Sequence, residues 1–95
     1  CELCDRDLPP ASPEARICTY ECTFCAICVD NVLRDVCPNC GGNFSVRPIR
    51  PAREHRPGVS LGHQPASTER VHCRHAREDI EAFSGQLNRT GPAQR

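Results

Sequence analysis

Cys18-Thr19-Tyr20-Glu21-Cys22-Thr23-Phe24-Cys25-Ala26-Ile27-Cys28 puts four cysteines into eleven residues. Cys1 and Cys4 stand before this stretch and Cys37 and Cys40 after it, giving C-x2-C-x13-C-x3-C-x2-C-x2-C-x8-C-x2-C. A C-x2-C turn is a tight knuckle that brings two sulfurs to one side, where both can reach a metal ion at ~2.3 Å. Backbone N–H groups of the same turn can point at the sulfurs and spread their charge. Two knuckles close a tetrahedron, so eight cysteines make two closed four-sulfur sites. A closed site leaves no open coordination position, and zinc held that way is structural rather than catalytic. The expected cofactor is therefore two Zn²⁺.

Two other chemistries compete for the same residues. Cysteines two residues apart pair poorly with each other, and repeated C-x2-C is not the usual spacing of small disulfide scaffolds. Cys22-x2-Cys25-x2-Cys28 resembles half of a bacterial ferredoxin motif, but the Cys-Pro that motif needs lies eight residues on, at Cys37-Pro38, instead of three. Zinc is the reading the spacing favours.

The simplest pairs are Cys1/Cys4, Cys18/Cys22, Cys25/Cys28 and Cys37/Cys40. Only Thr23-Phe24 separates Cys22 from Cys25, which leaves no spacer between two sequential metal sites. That favours a cross-brace, with Cys1, Cys4, Cys25 and Cys28 on one ion and Cys18, Cys22, Cys37 and Cys40 on the other. Sequential sharing stays open, as does the register in which Cys22-x2-Cys25 is itself a knuckle.

The rest of the chain explains why metal is needed. Of 95 residues, 38% are hydrophobic and 4% aromatic, with no Trp and no Met. Such a chain cannot build a sufficient core unaided, and it is too small for a Rossmann sheet or a barrel. No apolar run approaches the ~20 residues of a membrane span. Cys1 reads as half of a metal-binding pair rather than as the lipid-bearing cysteine of a lipoprotein. The net charge of zero conceals a split: residues 1–45 carry three Arg against seven acids, and residues 46–95 carry nine Arg against five. All twelve basic residues are Arg. With no Lys to accept conjugates, the chain is not expected to act as a self-modifying ubiquitin-type ligase.

The fold class expected is a small zinc-stabilised α+β head over residues 1–46. It is followed by an Arg/Pro-rich extended linker over 47–66 and a tail over 67–95. Ala15-Arg16-Ile17-Cys18-Thr19-Tyr20 reads as a short strand and Phe44-Ser45-Val46 as a second. Val29, Val32, Leu33 and Val36 fall at i, i+3, i+4 and i+7, one face of a short helix ending before Cys37-Pro38. A further helix is expected over 67–84, capped by Ser67 or Thr68, with Val71, Ile80 and Phe83 as a sparse stripe. From Gly85 onward the chain reads as polar and disordered.

Arg47, Arg50, Arg53 and Arg56 recur every third residue among prolines. In polyproline II, with three residues per turn, they would line one edge ~9 Å apart and could grip phosphates or acidic side chains. A plain solvated linker and docking of the row on the acidic head are the alternatives. His72, Cys73 and His75 could take a third metal, or Cys73 could be redox-active; an unpaired thiol beside solvated imidazoles is the simpler reading. No nucleophile–base ordering or phosphate-binding Gly loop is present, so no enzymatic activity is expected.

The head resembles a RING finger in Cys1-Glu2-Leu3-Cys4, in Phe24 before Cys25, and in Cys37-Pro38-Asn39-Cys40. It departs from that pattern in having Cys22 where most ligases have His, Gly41 where a basic residue often follows the last cysteine, and no Trp in the helix. A fuller resemblance, over about residues 1–72, is to domain-of-unknown-function family 1272. It rests on Cys4-Asp5-Arg6-Asp7-Leu8-Pro9-Pro10, Arg16-Ile17-Cys18, Glu21-Cys22-Thr23-Phe24-Cys25 and Cys37-Pro38-Asn39-Cys40-Gly41-Gly42. It continues through Arg47-Pro48-Ile49-Arg50-Pro51 and Pro65-Ala66-Ser67-Thr68-Glu69-Arg70-Val71. That resemblance implies a bacterial, cytoplasmic metal-binding protein and supplies no activity.

The RING-like or treble-clef head reads as a protein-interaction module whose partner is another protein, with no membrane and no small-molecule substrate. One alternative is a nucleic-acid-associated zinc-ribbon protein binding weakly through its tail; the acidic head and the lack of an aromatic platform limit it. The other is a RING-type recruiter of a conjugating enzyme.

Overall fold

The structure is a computed structural model describing residues 1–95. Its sheet is built from three short strands: β1 (Ala15–Ile17), β2 (Thr23–Cys25) and β3 (Ser45–Val46). The order is β2-β1-β3, antiparallel throughout, with Arg16 opposite both Phe24 and Val46. β1 carries the β-branched signal seen in the sequence but ends at Ile17, because Cys18 turns away as the start of a thiol turn. β2 was not anticipated. Its residues are those of the cysteine-dense stretch, and the strand exists because Thr23 and Phe24 must pair with β1 to bring Cys25 back towards Cys1 and Cys4.

The helix of the head begins earlier than its apolar stripe. α1 (Ala26–Cys28) runs directly into a wider π-type turn over Val29–Leu33. Cys25 precedes α1 and accepts the Cys28 N–H on its sulfur at 3.5 Å, so one knuckle doubles as the first turn of the helix. Arg34 and Asp35 then take left-handed backbone angles, φ 48° and 61°, and end the helix before Val36. Asp35 supports this turn by accepting the Phe44 N–H on Oδ1 at 2.9 Å. Val29, Leu33 and Val36 are all buried, so the stripe marked the core correctly even though Val36 lies beyond the helix.

The apolar cluster consists of Cys18, Phe24, Val29, Leu33, Cys37 and Ile80, with Leu3, Val32 and Phe44 packed against it. Phe24 is wholly buried and meets Phe44 edge-to-face at 5.5 Å. Two of the six central members are cysteines, Cys18 and Cys37, while Cys4 and Cys40 are exposed, so the sulfur sites run from the core to the surface.

The tail departs from expectation. Residues 47–51 form no helix or strand, though the Arg47 N–H continues the β1–β3 pairing to Ala15 O at 3.0 Å. Bends at Ala52, Arg53 and His55 break the polyproline course, and the Leu61 N–H returns to Pro51 O at 2.8 Å. The linker expected over 47–66 is therefore a folded loop. The tail helix is α2 (Arg77–Leu87), not 67–84, and a 3₁₀ turn follows at Pro92–Gln94, beyond Gly85. Ser67 makes a local turn by accepting the Glu69 N–H, and α2 starts after Ala76 with no side-chain cap. Residues 70–73 are kept out of the helix by contacts with the head. The Cys73 N–H donates to Glu2 O at 2.7 Å, and Arg70 pairs with Asp5 and Asp7.

Candidate metal centre

Two knuckles end in the same way. The Asp5 N–H donates to Cys1 O and the Gly41 N–H to Cys37 O, at 3.0 and 2.7 Å. Asp5 and Gly41 both have left-handed backbones, φ 64° and 79°. This turn presents both sulfurs of each pair on one side. Sulfurs also collect amide donors: Cys4 N–H on Cys1 at 3.5 Å, Tyr20 N–H on Cys18 at 3.3 Å, Gly42 N–H on Cys40 at 3.4 Å. Such donors stabilise thiolates, and a thiolate rather than a thiol binds metal.

Cys1, Cys4, Cys25 and Cys28 converge, all four sulfurs lying within 4.8 Å of one another. Cys4 Sγ and Cys25 Sγ are 3.8 Å apart. A tetrahedron with metal–sulfur bonds of ~2.3 Å has an edge of about 3.8 Å. The donor set and its size thus fit zinc. Cys18, Cys37 and Cys40 form a second set within the same 4.8 Å limit. The two sets interleave along the chain, and Cys1 and Cys4 gather with Cys25 and Cys28 rather than with Cys18 and Cys22.

Cys22 falls outside the close second set. Its thiol still interacts with those of Cys18 and Cys37 and accepts Asn39 Nδ2–H at 3.4 Å. Asn39 is the site residue that the sequence reading missed. It sits within the Cys37–Cys40 knuckle and reaches across to the sulfur of another turn.

Burial and contacts between thiols shift Cys28, Cys37 and Cys22 upward, while Cys25 and Cys18 are shifted downward. Burial pushes the Cys28 thiol up to about 12, reinforced by the Cys25 and Cys4 thiols beside it. Burial raises Cys25 as well, but the Cys28 and Ile27 amides and the neighbouring thiols outweigh it and hold Cys25 below the ordinary thiol range. The second set repeats this. Burial drives Cys37 upward, aided by the Cys40 and Cys18 thiols, while at Cys18 burial is outweighed by the Tyr20 and Cys22 amides. Burial and the Cys18 thiol also raise Cys22, against Asn39. Four thiolates in contact repel one another, and a divalent cation is what lets all of them ionise.

The other expected sites do not assemble as sets. Arg47 donates from Nη2 to Leu8 O and Pro9 O at 3.2 and 2.7 Å, and Arg50 donates from Nη1 to Gln64 O at 2.6 Å. With Arg53 at a bend and Arg56 in an isolated bridge to Val59, the four guanidinium groups share no polyproline edge. Of the row, Arg47 docks on the head, through the Leu8 and Pro9 carbonyls; the ion pairs with the head's acids are made by Arg70, outside the row, at 3.1 Å from Asp5 and 2.6 Å from Asp7. His72, Cys73 and His75 do not converge on one point: His72 faces Asp5 at 3.8 Å, and Cys73 is half-buried against the apolar cluster.

This geometry defines a small cysteine-rich protein with two thiol clusters compatible with metal binding. The chain belongs to the family described as "Protein of unknown function (DUF1272)", whose model matches residues 1–50. It is 56% identical over 71 residues to an uncharacterized protein of Rhizobium meliloti (strain 1021), covering 75% of this chain and 77% of that one. No solved structure matches the chain. No helix is long and apolar enough to cross a membrane.

Proposed function

We propose that the chain is a structural-zinc protein-interaction module with a RING-like, treble-clef cross-brace head. Cys1, Cys4, Cys25 and Cys28 hold one Zn²⁺; Cys18, Cys22, Cys37 and Cys40 hold the other once Cys22 swings towards its neighbours. The observation that carries this reading is the interleaving of two thiol sets whose sulfurs lie within 4.8 Å of one another. All positions of each ion are filled by sulfur, so the metal organises a scaffold and activates no water. The module performs no catalysis of its own in this reading, and its free thiols require a reducing compartment such as the cytoplasm. Its partner is another protein. Arg47 and Arg50 are occupied by backbone carbonyls, which removes half of the charged edge on which nucleic-acid binding was based.

The test has two parts. Elemental analysis of the purified chain should give two zinc per chain; one, or iron with visible absorbance, contradicts the reading. Capture from the native host with the intact chain should then recover a protein that an all-Ser variant of the eight ligands does not. Recovery of nucleic acid alone would favour the zinc-ribbon alternative.

A further inference from the structure

The tail meets the head in two places, and each lies on a different thiol set. Residues 70–73 run along the first knuckle through the Cys73–Glu2 backbone bond of 2.7 Å and the Arg70 ion pairs with Asp5 and Asp7. α2 and the residues after it lie on the second. Ile80 is 2% exposed and belongs to the same apolar cluster as Cys18 and Cys37. The buried Ser84 hydroxyl donates to Leu33 O at 2.7 Å. Phe83 and Leu87 cover Gly41, the residue after Cys40, so closely that a Cβ there would stand 3.3 Å from Leu87 Cδ1. Arg95 donates to Asp35 O and Gly41 O at 3.0 and 3.1 Å, bracketing the Cys37–Cys40 knuckle from both ends.

α2 has eleven residues and no side-chain cap, and a helix of that length does not persist undocked. Its presence against Leu33 and Gly41, in the cluster that buries Cys18 and Cys37, is therefore a docking equilibrium; Cys40 is exposed already, and opening uncovers the two buried members of the second set. We propose that α2 is a lid that sets the rate of metal exchange at the second thiol set and leaves the first set unaffected. This rests on the reading that both sets hold zinc. Exchange passes Zn²⁺ from the thiolates to an incoming chelator; the thiolates take up protons from water, and nothing is oxidised or reduced.

The experiment uses the full-length zinc-loaded chain, excess EDTA, and timed alkylation by iodoacetamide with peptide mapping. Ser84→Ala and Ile80→Ala are compared with wild type, and Arg53→Gln serves as a control. Ser84→Ala removes one buried hydrogen bond, which corresponds to about fivefold faster alkylation of Cys18, Cys37 and Cys40. Ile80→Ala removes the central apolar contact, and acceleration there should exceed about tenfold. Cys1, Cys4, Cys25 and Cys28 should keep their wild-type rates in both. Unchanged rates at the second set, or equal acceleration of both sets, overturns the lid while the zinc reading stands. If Ile80→Ala does not fold, Ser84→Ala decides alone. A wild-type chain holding fewer than two zinc before EDTA is added overturns the zinc reading, and the lid with it.

Discussion

Gly41 meets two demands at once. Its φ of 79° lies where side chains are strained, and the space a Cβ would fill is closed by Leu87 and Phe83. Gly41→Ala should therefore destabilise the protein by about 1–3 kcal/mol, read by thermal melting. Asp5 occupies the matching place in the first knuckle with a side chain, which is tolerable because Asp adopts left-handed angles more readily than most residues. Asn39 is a second case. It supplies a side-chain donor to Cys22, the sulfur left outside the close set. Asn39→Asp would set a carboxylate against that sulfur and should weaken zinc at the second site about 10–100-fold in chelator competition, with the first site unchanged. The cysteines themselves were legible from spacing, since a knuckle is a local object. Asn39 was not, because its partner lies seventeen residues away and only the tertiary fold joins them.

Elements were legible where local pattern and packing agree. The stripe Val29, Val32, Leu33 and Val36 identified the buried face, yet α1 began at Ala26 because the Cys25–Cys28 knuckle is itself a helical turn. β2 was hidden because three residues ending in a cysteine carry almost no periodicity. For α2 the signal was present and misread. Ile80, Phe83, Ser84 and Leu87 stand at i, i+3, i+4 and i+7, but Gly85 reads as a helix stop and Ser67 or Thr68 as a helix start, and the helix observes neither. The strap at residues 70–73 has no signal in its own sequence, since its non-helical course is set by contacts with Glu2, Asp5 and Asp7. Because Phe24 is wholly buried in β2 and joins the strand to Phe44, Phe24→Ala should cost about 3–5 kcal/mol in denaturant unfolding of the metal-loaded chain.

At the scale of the molecule, the charge split is partly consumed within the chain, since Arg70 neutralises acids of the head. The radius of gyration is 14.7 Å, against about 12 Å for a compact chain of this length, and the longest extent is 45 Å against 18 Å for the shortest. With so few large apolar side chains buried, the proposed metal would be the centre of the fold, and removal of both ions by EDTA should unfold residues 1–46, seen as loss of amide-exchange protection there. Acid should act in the same direction. Burial pushes the metal-free Cys28 thiol up to about 12, and it must lose its proton to bind, so under the proposed zinc reading the ion should be released as pH falls and retained as pH rises. The measurement that tests the central claim most directly is cadmium–proton correlation NMR on the cadmium-substituted chain, which reports which cysteines share an ion. One cadmium should correlate with the β-protons of Cys1, Cys4, Cys25 and Cys28, and the other with those of Cys18, Cys22, Cys37 and Cys40. A cadmium correlating with Cys1, Cys4, Cys18 and Cys22 together would contradict the interleaved arrangement.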